Sequence, residues 1–399
     1  MQYFYHQKLN KKLSSLILLF FIFNSVLTYS QSSVLTSNPN SLNYIPNRGC
    51  GTPILPQQFE NWLQSITPST NKLGGGQTQS VFNIPVIVHV IHNNEALNSP
   101  TATTGGNLNA LQIQDQINIL NKDYNGLNPD TSLIPAAFKP FLGKFQFNFC
   151  LAVVNPTGGI LAEPGIDRIN RTTQTPTWSA PPYSTTYIDA TIKPATIWNP
   201  NKYMNMWVCG ISGGVLGYAT FPNPGTSGLS GLNPPYGTTN TDGLVMRNST
   251  FGSIGTAVSG APYNLGRTAT HEIGHWLGLR HIWGDNGQCG ATDYCNDTPP
   301  QKGGTSSPAG CNYGCPTYPF QANTCTISGQ SNVNGDMFMN YMDYTNDACM
   351  YMFTNDQKTR AQLIMTNSPM RASLLTSTVC NSPSTINDIG ILYISNPTF

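Results

Sequence analysis

Half of the chain's six histidines and one of its four glutamates fall within eleven consecutive positions, His271 to His281. They belong to the string RTATHEIGHWLGLRHIWGD, residues 267–285. On a helix, His271 and His275 are one turn apart and face the same way, so their imidazoles can grip one metal ion. Glu272 lies beside them, placed to take a proton from a water but not to act as a ligand. Gly278 can adopt positive φ and end the helix sharply, which turns the chain back and brings His281 in as a third nitrogen. Three protein nitrogens leave a fourth position for water, the pattern of a catalytic rather than a structural zinc. A lone histidine is read as a core residue; the full H-E-x-x-H-x-x-G-x-x-H string is not. His89 and His92 lack such a context and are read as structural.

These residues need a scaffold. The run 81–94 accumulates β-branched residues and predicts a strand, as do 144–154 and 203–211. The run 214–221 predicts an edge strand broken at Gly217. Apolar residues at helical spacing predict an amphipathic helix over 108–125, and further helices are expected near 59–65, 266–277 and 355–367. The segment 282–352 reads as mostly loops. This order is α+β rather than regular βαβ winding.

Net charge is +1 and 9% of the 399 residues are charged, which argues against nucleic acid or an anionic membrane as partner. Lys8, Lys11 and Lys12 precede a short apolar run, 13–27, with small residues near Ser30. That pattern predicts a signal peptide over 1–30 and a secreted, soluble product; the alternative is an uncleaved anchor. Residues 31–79 are polar and carry a triple-glycine linker at 74–76. The body runs from 80 to 370, and the tail, 371–399, reads as the start of a further β module. Ten cysteines in a secreted chain predict disulfides. Six of them, Cys289, Cys295, Cys311, Cys315, Cys325 and Cys349, crowd the loop-rich segment; a cysteine-ligated zinc site there is the alternative.

The string from His271 to His281 resembles the zinc signature of the metzincin metallopeptidases, and NYMDY, 340–344, resembles their Met-turn. With NDTPPQ (296–301), GCP (314–316) and DMFMNYMDYTNDACMYMF (336–353), the combination resembles the pappalysin family over residues 81–367. The resemblance implies a two-subdomain α+β zinc protease: a mixed twisted sheet with a backing helix and an active-site helix above, and a loop-rich, disulfide-linked lower half. It implies a secreted, monomeric endopeptidase acting on proteins or peptides. His271, His275 and His281 would bind zinc, Glu272 would be general base and then acid, Met342 would floor the metal, and Tyr344 would donate to the oxyanion. NRGCGT, 47–52, resembles the family's cysteine switch. Cys50 would then fill the fourth zinc position in a latent zymogen whose propeptide, 31–79, is cut off between 66 and 80; the alternative is Cys50 in a disulfide.

By the same resemblance the expected pairs are Cys289–Cys325 and Cys315–Cys349, with Cys295–Cys311 extra; with Cys50 as the switch nine cysteines remain, so at least one more is free or paired outside the chain, Cys380 being the candidate. Structural calcium would draw on Asp285, Asp293, Asp297 and Thr298, a solvated acidic loop being the alternative. A preference for a basic residue after the scissile bond is also implied. The rival readings are a catalytically silent zinc-bearing adhesion module and a zinc hydrolase of small molecules.

Overall fold

Phe82–His92 (β1) is buried from residue 84 to 91 on both faces, as a central parallel strand must be. In the computed structural model, the described residues are 50–67, 81–97, 106–225, 236–285, 289–302, 313–326 and 332–381. The signal and glycine-linker expectations fall outside them, as do residues 382–399 of the tail. Among the described residues no helix is long and apolar enough to cross a membrane.

One edge of β1 pairs in parallel with β2 (Phe147–Leu151) and then with β3 (Ile166–Asn170). The other edge pairs with β4 (Met204–Cys209), which pairs in parallel with β6 (Leu244–Arg247). The sheet ends in β5 (Gly217–Ala219), which is antiparallel to β6. The expected strands are thus present but shorter, and β3 and β6 were not anticipated. At four and five residues, β6 and β3 are too short to show a period of their own.

Helices and the sheet enclose the main core, to which Ala361, Met365 and Leu374 near the C-terminus also contribute. In Ala110–Asp123 (helix α2; Gln57–Ile66 is α1), Asn109 caps the first turn by accepting from Gln112 N at 2.8 Å. Ile113, Ile117 and Leu120 of α2 join Phe145, Phe147 and Phe149 and the underside of Arg267–Trp276 (α3) in one cluster. On the other sheet face, Trp178, Tyr183, Ile188 and Ile192 cover Trp207 and Val245. A capping box of Thr354 and Gln357 starts Asn355–Asn367 (α4), which is followed by Pro369–Leu374 (α5). The architecture is α+β, as the sequence implies.

The lower segment has few regular elements and gathers Ile282, Trp283, Phe338, Tyr344 and Met352 in a cluster of its own. Disulfides Cys289–Cys325 and Cys315–Cys349 cross-link it. Two cysteine expectations need correction. Cys380 is not free: it pairs with Cys150, 230 residues earlier, and ties the last described segment to β2. Cys295 is an unpaired thiol, so the Cys295–Cys311 bond is not formed; it is 3% exposed, packed beside Asp293, and Cys311 lies outside the described residues. His89 is structural, its ring held between Asp167 at 2.8 Å and Asn205 at 2.9 Å.

Candidate metal centre

α3 is positioned from both ends. Gly266 (φ 76°) starts it, and a Cβ there would come within 2.8 Å of Ile119 Cδ1. Arg267 then pairs with Asp123 and Asp130, while Thr270 Oγ1 donates to Asp123 at 2.7 Å. Asp347 accepts from the N–H groups of Leu265 and Arg267, which would otherwise be orphaned at the helix start. At the far end Gly278 (φ 80°) reverses the chain, with Leu279 N bonded to Gly274 O at 2.9 Å.

Each histidine has its Nδ1 fixed. His271 Nδ1 lies 2.7 Å from Tyr341 O, His275 Nδ1 lies 2.9 Å from Leu279 O, and His281 Nδ1 meets the Asp285 carboxylate. Carbonyls only accept, so in His271 and His275 Nδ1 carries the hydrogen and Nε2 presents a lone pair. The three Nε2 atoms stand 3.1, 3.2 and 3.2 Å apart. Three nitrogens about 2.05 Å from a tetrahedral centre would be about 3.3 Å apart, so this triangle has the size of a ligand face. Lone pairs facing one another repel unless a cation lies between them. Burial, helped by the neighbouring His281, pushes the His275 pKa down to about 3 and keeps the ring in the neutral form that a ligand needs.

Beneath the triangle lies Met342, fully buried; a Cβ on Gly274 would meet its Sδ at 2.4 Å. This turn hangs from the start of α4 through the Asn340–Gln357 amide pair, at 2.9 and 3.1 Å. The Tyr344 ring stands edge-on to His281 with centroids 5.0 Å apart, and Trp283 stacks on His281 at 4.4 Å.

Glu272 is buried beside the triangle, and its Oε2 accepts from Thr52 Oγ1 at 2.9 Å and from Cys50 Sγ at 3.4 Å. Gly217 of β5 makes room for it, since a Cβ there would lie 3.0 Å from Glu272 Cγ. The Cys50 thiol and the three histidines bring their ligand atoms within 4.8 Å of one another, the one such group among the described residues. Burial, then the Glu272 charge, raises the Cys50 pKa well above its ordinary value. A cation at the histidine focus is what would make it a thiolate. The backbone holds Cys50 there: it bridges Gly217 in parallel, and Gly51 N donates to Gly217 O at 3.0 Å.

The acidic residues do not assemble as expected. Asp285 belongs to His281 and, at 3.7 Å, to Arg280, rather than to a group with Asp293 and Asp297. Thr298 spends its hydroxyl on Asp293, at 3.0 Å to each oxygen, and Asp297 accepts from Asp356 N at 2.9 Å. Sequence reasoning also passed over Thr52. Its place two residues after Cys50 was visible, but its partners depend on how the segment pairs with β5.

The promirolysin of Tannerella forsythia superposes with a TM-score of 0.61 at 34% identity, covering 80% of this chain and 90% of that one. The family model described as pregnancy-associated plasma protein-A, that of the pappalysins, matches residues 186–366. The chain belongs to the pappalysin family. This pappalysin is also similar to mature mirolysin in complex with a cleaved peptide, at 37% identity and a TM-score of 0.59, covering 75% of this chain and 97% of that one. An extracellular metalloprotease of Podospora anserina is 29% identical over 82% of this chain and 93% of its own length. Extracellular metalloprotease 1 of Coccidioides posadasii is 39% identical over 158 residues, 39% of this pappalysin; the match spans about half of the relative, 47%.

Proposed function

We propose that this pappalysin is a secreted zinc-dependent endopeptidase made as a latent precursor. The observation that carries the reading is the convergence of three imidazole nitrogens on one point, with Glu272 beside them and Cys50 closing the open side. The relatives named extracellular metalloproteases support the extracellular location.

His271, His275 and His281 would hold the zinc. When bound it supplies Lewis acidity, polarising a carbonyl and bringing the pKa of a water toward ~7. Glu272 takes the proton from the attacking water and hands it to the leaving amine. Its burial removes competing solvent, and Gly217 leaves the room that its side chain fills. The Tyr344 phenol, beside His281 and His271, donates to the oxygen on which charge develops. β5 is the sheet's terminal strand and can hold an extended peptide by its main chain. Glu272 and Tyr344 at the histidines favour catalysis over a silent adhesion module.

In the precursor, Cys50 and Thr52 occupy this cleft and engage Glu272. The test uses the full chain, cut between residues 67 and 80 and supplied with zinc. It should degrade casein, a chelator should stop it, and Glu272→Ala should abolish it. Mass spectrometry of the fragments reads the implied preference for a basic residue after the scissile bond. Activity that survives Glu272→Ala would overturn the mechanism.

A further inference from the structure

The helix that follows Cys50 is anchored by one buried charge. Glu60 of α1, 1% exposed, receives Arg280 Nε at 2.8 Å and the two terminal nitrogens of Arg360 at 2.7 and 2.6 Å. The Arg360 contact is a two-toothed guanidinium–carboxylate fork, the geometry that separates a carboxylate from an amide. Both arginines belong to the body of the protein: Arg280 comes from the turn between α3 and His281, Arg360 from α4. Both have fixtures there that do not involve α1. Arg360 Nε donates to Gly278 O at 2.7 Å, Arg280 reaches Asp285 at 3.7 Å, and each guanidinium lies within 6 Å of the Tyr294 ring, at 5.8 and 5.3 Å. Around this charged pair α1 lays Phe59 and Leu63 against Phe221, Tyr236 and Ile364. The surroundings are thus an apolar groove with two preset cations at its centre.

We propose that Arg280 and Arg360 form a carboxylate-binding site for an acidic amphipathic helix, filled by Glu60 in the precursor and opened to free peptide ligands once residues 50–67 are released. This rests on the latency reading above. Glu60 leaves behind two guanidiniums that Gly278 O, Asp285 and Tyr294 still hold in place, so the vacated groove keeps the fork geometry that recaptures a carboxylate. The flanking apolar residues select for one carried on a helix with large side chains a turn away on the same face. The site lies outside the metal centre, so a ligand can hold it without touching the histidines or Glu272.

The probe is a fluorescent synthetic peptide of residues 53–67, which lacks Cys50 and Thr52 and so cannot reach the metal centre. It is titrated by anisotropy into the full chain cut between residues 67 and 80 and freed of its N-terminal fragment. The peptide should bind saturably, and Glu60→Gln in the peptide should weaken binding at least 10-fold. Arg360→Gln in the enzyme should weaken the parent peptide to a similar degree. The substitution on the peptide keeps the test valid even if an arginine variant folds poorly. Casein cleavage is measured on the same preparation. An enzyme that binds the peptide through Glu60 but cleaves nothing refutes the protease reading and leaves this site standing. An active enzyme that binds neither peptide, or both equally, overturns the site.

Discussion

Thr52 Oγ1 donates to Glu272 Oε2 at 2.9 Å and accepts from Ala219 N at 2.9 Å, so one hydroxyl ties the segment before α1 to both the catalytic carboxylate and the edge strand. The latency proposed above would therefore have a second holder besides the thiol. A hydrogen bond to a buried charged group contributes about 1.5–3 kcal/mol. Thr52→Val in the intact precursor should raise its residual peptidase rate on the order of 10-fold, and Thr52→Ser should restore latency. A Thr52→Val precursor as silent as the parent on a quenched-fluorescence peptide would leave Cys50 as sole keeper.

Tyr344→Phe keeps the ring against His281 and Trp283 and removes only the phenol oxygen. Loss of one oxyanion donor should lower kcat about 100-fold. KM should change far less, because the donor acts on charge that develops after binding. Steady-state kinetics on one peptide measures both, and a fall confined to KM would remove Tyr344 from the chemistry.

Asp293 links pH to stability. Burial pushes its pKa up to about 7 from an ordinary 3.8, against the opposing hydrogen bonds from Cys295 N and Thr298. Between those values the folded chain keeps a proton that the unfolded chain has lost, so this group's contribution to stability falls as pH rises from about 4 to 7 and then levels off. The change should be on the order of several kcal/mol in metal-free buffer. Thermal midpoints of the parent and Asp293→Asn, taken across that range, should diverge in the variant's favour as pH rises; parallel curves would refute the linkage. Calcium that raises the parent midpoint but not the variant's would assign Asp293 a cation.

Arg371 is fully buried, its guanidinium 3.6 Å from the centre of the Trp276 ring, and its charge is met by Asp242 at 2.8 and 2.9 Å. Removing one partner of such a pair costs about 3–5 kcal/mol. Asp242→Ala should lower Tm by several degrees, and adding Arg371→Leu should recover part of the loss. A double variant no better than the single one would mean that packing around Asp242, not the orphaned charge, sets the cost.

Residues with a spacing of their own could be read in the sequence. The three histidines, Glu272 and the helix-ending Gly278 follow from helical geometry over eleven positions, and β1 from its β-branched run. Features created by distant parts of the chain could not. Asp285 reads as a member of an acidic loop, yet the reversal after Gly278 folds its carboxylate back onto His281. Cys150 and Cys380 are 230 residues apart, and nothing local marks either as the other's partner. β6 offers four residues, legible only once β4 and β5 lie on its two edges. Glu60 looks like a surface residue of a short helix until Arg280 and Arg360 arrive from two other elements.

The bridge between Cys50 and Gly217 is parallel. A peptide that adds to β5 in antiparallel fashion travels the other way, so residues 50–52 thread the groove backwards relative to it. Each of their amide groups then offers Glu272 its nitrogen and carbonyl in reversed order. The plug can grip the edge as firmly as a cleavable strand does while showing the catalytic groups no bond in the right sense. For a substrate that adds in that antiparallel sense, the latency proposed above would gain a protection independent of any side chain: direction of travel itself would keep residues 50–52 from being cleaved where they sit.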